Sequence, residues 1–209
     1  MKFDKEFKIA ISELPSAEKD RLLLRLLKKD LTLANRLYFE LVSSHTVDEC
    51  RLIVEEKVME TATHISKGFY SAGYLMMDMR YLSGEITEHV KTTKDKFGEA
   101  SLNLLMLNEV LRLNNTKLRF LPNSKVYKLY IYIISRAFKI LILINALHED
   151  FRIEFEDNLI KLGEHFSDNS HLMQMAIHNG FDINWLLTAD IPENMNAIHK
   201  EIRQQGFLK

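Results

Sequence analysis

Val126-Tyr127-Lys128-Leu129-Tyr130-Ile131-Tyr132-Ile133-Ile134-Ser135-Arg136-Ala137-Phe138-Lys139-Ile140-Leu141-Ile142-Leu143-Ile144-Asn145-Ala146-Leu147 is the most apolar stretch of the chain, and its reading decides the fold. It is long enough to span a bilayer, and its Ile and Tyr content suits a strand. Lys128, Arg136 and Lys139 argue against both readings. Each would cost about 2.5–3.5 kcal/mol at mid-bilayer. At about 100° per residue, Lys125, Lys128, Arg136 and Lys139 share an arc of about 80°. One narrow basic arc on an otherwise apolar cylinder describes a largely buried helix of a water-soluble protein.

Outward from this stretch the same period recurs. Phe151, Phe155, Leu159, Leu162 and Phe166 follow at helical spacing. Phe3, Phe7, Ile11 and Leu14 do so at the start of the chain. Ser16 and Asp30 are placed to cap the second and third helices, and Ser124 the long apolar one. Thr46-x-x-Glu49 is a capping-box pattern before an apolar run that reaches Ile65 or beyond. Gly68, Gly73 and Gly84 leave the next region open between one long kinked helix and several, and helix breaks near Gly68 and Gly84 are expected. Asn114-Asn115-Thr116 and Leu121-Pro122-Asn123-Ser124 read as loops. Pro192 and Gly206 bracket a last helix.

The expected fold is therefore all-α, with about nine or ten helices joined by short connections. They would form a HEAT-like stack of helical hairpins or an orthogonal bundle. Residues 1–209 read as a single domain, with room for an N-terminal lobe of 1–66 and a C-terminal lobe of 67–209. Seven glycines and three prolines in 209 residues are too few for a turn-dense β-sandwich or propeller. No repeat of 33–47 residues is visible.

Twenty-eight basic and 29 acidic residues leave a formal net charge of −1. A dedicated nucleic-acid binder usually carries a basic excess, so nucleic acid is not the expected partner. Cys50 is the one cysteine, which excludes an internal disulfide and suits a reducing compartment. Charges interrupt the N-terminus within six residues, leaving no signal-peptide core. A cytoplasmic location is expected.

The strong chemical motifs are missing. There is no glycine-built phosphate cradle, no H-E-x-x-H, no G-x-S-x-G and no Glu-x-x-His. Two weaker constellations remain. Glu56, Glu60 and His64 lie at i, i+4 and i+8, and Glu85 and His89 repeat the spacing. Packed face to face, they would offer a carboxylate–imidazole cage for Zn²⁺, Mn²⁺ or Fe²⁺ and a metal-dependent hydrolase. The plainer reading is a solvated face of Glu-to-His pairs. Lys125, Lys128, Arg136 and Lys139 would face an anionic ligand or acidic partner, or form the wet side of their helix. Glu149, Asp150, Glu154, Glu156 and Asp157 follow at once as an intramolecular partner. Tyr70, Tyr74 and Tyr81 with Met76, Met77 and Met79 form either core or an adaptable binding face, and as a face they would suit a homodimer.

Phe181-Asp182-Ile183-Asn184-Trp185-Leu186-Leu187-Thr188 resembles the closing helix of phage-repressor-type helix-turn-helix domains. The match covers eight residues and has Ala189 in place of the terminal glycine. The segment before it is too short and too acidic or neutral to complete that domain, so no DNA-contacting residue is assigned.

With no constellation at chemical spacing and no cofactor implied, a non-catalytic protein-interaction module is the leading expectation. A metal-dependent hydrolase and a nucleic-acid-associated helical repeat are the alternatives.

Overall fold

The computed structural model describes residues 3–209. The molecule is 79% helical, with no strand among the described residues. The helices are α1 (Lys5–Glu13), α2 (Ser16–Leu27), α3 (Leu31–Leu41), α4 (Val47–Lys67), α5 (Ala72–Thr93), α6 (Lys96–Leu118), α7 (Asn123–Asn145), α8 (Glu156–Ser167), α9 (Ser170–His178), α10 (Asn184–Leu187) and α11 (Met195–Gln204). A 3₁₀ turn, Glu149–Phe155, precedes α8. The Val126–Leu147 stretch is helical almost throughout, and no described helix is long and apolar enough to cross a membrane.

The chain divides into two compact units. One holds the residues up to Ser44 with Lys91–Thr93, and the other holds His45–Val90 with Lys94–Lys209. In the first, α1, α2 and α3 bury none of their residues. In the second, the apolar core runs from Val58 to Leu208. Helices α4, α6, α8 and α10 form a row of successive neighbours, while α7 packs on α6 and also meets α9 and α11. Helix α6 is apolar nearly all round because α4, α7 and α8 enclose it.

Local chemistry sets most of the helix ends. The Thr46 hydroxyl accepts from Glu49 N (3.2 Å), and the Glu49 carboxylate accepts from Thr46 N (2.7 Å), completing the expected box. Asp30 accepts from Leu33 N and Asn169 from Leu172 N. Ser16 and Ser124 make no cap bond: α2 and α7 begin behind Pro15 and Pro122, whose fixed φ starts the helix unaided.

Two expectations need correction. The break near Gly68 is present, but α5 runs unbroken through Gly84. Leu75, Met79, Leu82 and Ile86 bury one face of α5, and that burial outweighs the cost of one glycine. Asn114-Asn115-Thr116 is no loop but the last turns of α6. Asn114 Nδ2 donates to Ser66 Oγ on α4 (2.7 Å), and Asn115 Nδ2 donates to the His165 carbonyl on α8 (2.6 Å). Asn108 Nδ2 donates to the Asn158 carbonyl in the same way (2.9 Å). These asparagines connect the central helix to its neighbours, and the buried contacts override their turn preference.

The Phe181–Thr188 segment ends in the four-residue α10. Trp185 meets the rings of Phe138 and Phe181, and Leu186 is fully buried, so this turn is anchored to the core.

Candidate functional site

The densest charged cluster lies at the start of α6. Asp95 caps that helix, accepting from Gly98 N at 2.7 Å. Arg51, one turn into α4, grips the same carboxylate with Nε at 2.6 Å and Nη2 at 3.0 Å. His89 Nε2, near the end of α5, lies 3.2 Å from Asp95 Oδ2. The Arg51 guanidinium also stacks on Phe97, 4.8 Å from the ring centre. Burial alone would raise the Asp95 carboxyl, but His89, Arg51 and the Gly98 amide hold it well below the usual carboxylate range. Gly98 is required: a Cβ there would collide with the Asp95 carboxylate. Asp95 is 5% exposed and His89 8%. Sealed and densely bonded, the cluster ties α4, α5 and α6 together.

The proposed cage residues are distributed differently from the sequence pattern. Glu85 points outward and pairs with Lys57 at 2.7 Å, while His89, one turn later, is buried against Asp95. Glu60 and His64 line a shallow surface pocket with Met59, Thr63 and Lys67. Glu56 is exposed on the same helix. Among the described residues, no group of three or more His, Cys, Asp or Glu side chains is placed to hold a metal ion.

The basic arc of α7 splits in two. Lys139 Nζ pairs with Glu99 of α6 at 2.7 Å, so its acidic partner is not the 149–157 segment. Arg136 donates from Nη1 to Asn103 Oδ1 at 3.4 Å and lies 5.2 Å from the Tyr132 ring. Arg80 of α5 lies 5.7 Å from the same ring. Lys125 and Lys128 are exposed. Among the described residues, Arg80, Lys125, Lys128 and Arg136 have no carboxylate at ion-pair distance. Sequence reading missed Arg80, because its relation to Tyr132 exists only after α5 and α7 pack.

The tyrosine–methionine group also divides. Met79 is fully buried, whereas Tyr74, Met77 and Tyr81 are exposed at i, i+3 and i+7 on one face of α5. Tyr70 extends that face by an edge-on contact with Tyr74 at 5.2 Å.

A polar pocket of about 370 Å³ lies between α6 and α8, lined by Arg112, Asn115, Thr116, Arg119, His165 and Asp168. Burial lowers the His165 pKa, and Arg112 is engaged by Glu109 at 2.6 Å. Burial and the neighbouring Glu49 push the Cys50 thiol up, which disfavours a reactive thiolate.

Comparison with known protein families, curated proteins and solved structures finds no match.

Proposed function

We propose that this chain is a non-catalytic, cytoplasmic protein-interaction module with a HEAT-like stack of helical hairpins. The row order α4–α6–α8–α10 supports the stacked reading. One observation carries the interaction reading: α1, α2 and α3 bury none of their residues. Phe7, Leu24, Leu26, Leu31, Leu41 and Val42 are among the large apolar side chains they leave exposed. Apolar exposure concentrated in one segment of a chain is a feature of association surfaces, and isolated helices of 9, 12 and 11 residues are marginal in water.

The test places a photo-reactive residue at Leu24 or Leu41 in living cells. A discrete adduct with another protein, lost on Leu31→Glu, is the expected result. Adducts within the same chain only, or none, overturn the proposal. Amide exchange on the dilute purified chain adds a second readout. Protection of α1–α3 equal to that of α6 would mean that the chain satisfies these faces by itself.

A further inference from the structure

Helices α5 and α7 lie side by side and run in the same direction. Tyr132 Oη donates to the Met79 carbonyl, 53 residues earlier. Lys125 shares a pocket of about 260 Å³ with Ala72, the same offset one end further along. The face of this helix pair alternates rings and cations: Tyr74, Met77 and Tyr81 on α5, and Lys125, Lys128 and Arg136 on α7, with Arg80 and Arg136 meeting at Tyr132. Two guanidiniums brought to one ring, with no carboxylate at ion-pair distance among the described residues, leave a strong unneutralised positive field. Tyr, Met and Arg are also the side chains enriched at protein interfaces.

The complement is on the same chain. Glu149, Glu154, Glu156 and Asp157 have no cation at ion-pair distance among the described residues. Between them, Phe151 and Ile153 are 42% and 70% exposed. The 3₁₀ turn spans about 14 Å at about 2.0 Å per residue. The α7 lane from Lys125 to Arg136 spans about 16 Å at about 1.5 Å per residue. Charge, apolar anchors and length therefore match.

We infer that the α5–α7 face binds the acidic turn at Glu149–Phe155 of a second copy of this chain. Lys128, Arg80 and Arg136 meet its carboxylates, and Tyr74, Met77 and Tyr81 receive Phe151 and Ile153. A protein net charge of −1 favours this occupant over a nucleic acid, because the surface as a whole does not attract a polyanion. It also sets no like-charge barrier against self-association. The inference uses residues of the larger unit and none of α1–α3, so either proposal can fail without the other.

The experiment is sedimentation velocity of the full chain over a range of concentrations and salt, with two charge-reversed variants of exposed residues. These are Arg80→Glu with Lys128→Glu, and Glu149→Lys with Glu154→Lys. Circular dichroism and thermal melts establish that both fold. The wild type is expected to self-associate, more weakly at high salt. Each variant alone is expected to weaken association about tenfold or more, and an equimolar mixture to restore a heterotypic complex. A chain that stays monomeric, or an oligomer indifferent to both reversals, overturns the inference. So does a monomer that binds single-stranded RNA through Arg80 and Lys128, which would make the face a phosphate-binding one.

Discussion

Leu23, Leu24 and Leu26 of α2 lie open to solvent, whereas Leu104, Leu107 and Leu111 of α6 are sealed from it. Both helices are leucine-rich, and both follow the helical period. The difference is their surroundings. Helix α6 is enclosed by α4, α7 and α8 and linked to them by asparagine side chains, while α2 shares contacts with α3. Periodicity and caps are enough to form a helix in either place. Burial, the source of most helical stability in proteins, depends on what packs against it.

This contrast is most sharply tested at the two aspartate caps. Asp95→Ala removes a cap and leaves Arg51 and His89 beside a lost charge, so it is expected to cost about 3–5 kcal/mol in chemical denaturation. Asp30→Ala removes the exposed cap of α3 and is expected to cost about 1 kcal/mol of local helix stability. Similar losses at the two sites would break the comparison.

Core truncation comes next. Leu107→Ala is expected to cost about 2–5 kcal/mol, and Leu24→Ala to stay within about 0.5 kcal/mol. A large loss at Leu24 in the isolated chain would show that α2 packs more tightly than its exposure implies.

Acid separates the regions in another way. The Asp95 carboxyl is held below its ordinary range, so its contribution is fully present above the unfolded pKa of about 3.9. It is lost as the pH falls through the folded value. The stability gap between wild type and Asp95→Asn should therefore be open at neutral pH, begin to narrow below about pH 4 and close only as the pH falls through the depressed folded value. A gap that persists undiminished in acid would contradict a charged Asp95.

The smallest effect contrasts two helical glycines within the larger unit. Gly84→Ala meets open space and is expected to stabilise by about 0.5–1 kcal/mol. Gly98→Ala meets the Asp95 carboxylate and is expected to destabilise. Thermal melts showing the same sign for both would refute the assignment of Gly98 as a close-approach site.

The helical class was legible from the polar arc of Val126–Leu147, and two helix starts from Thr46 and Asp30. These signals act over three or four residues, which is the range a linear reading covers. The rest depended on partners distant in sequence. Asn114 and Asn115 read as a loop because their acceptors, Ser66 and His165, lie 48 and 50 residues away. Asp95 carries no sequence signal for its role because Arg51 is 44 residues distant. The i, i+4 spacing of Glu85 and His89 was correct as helix geometry. It did not reveal that the edge of the buried face falls between them, so that one meets water and the other Asp95.

The start of α6 also constrains how this sequence can diverge. Position 98 can gain a side chain only after Asp95 has gone, and losing Asp95 strands the charge of Arg51 beneath Phe97. Substitutions at 51, 95 and 98 are therefore expected to arrive as a correlated set. Gly84, where an added Cβ meets open space, is expected to drift alone.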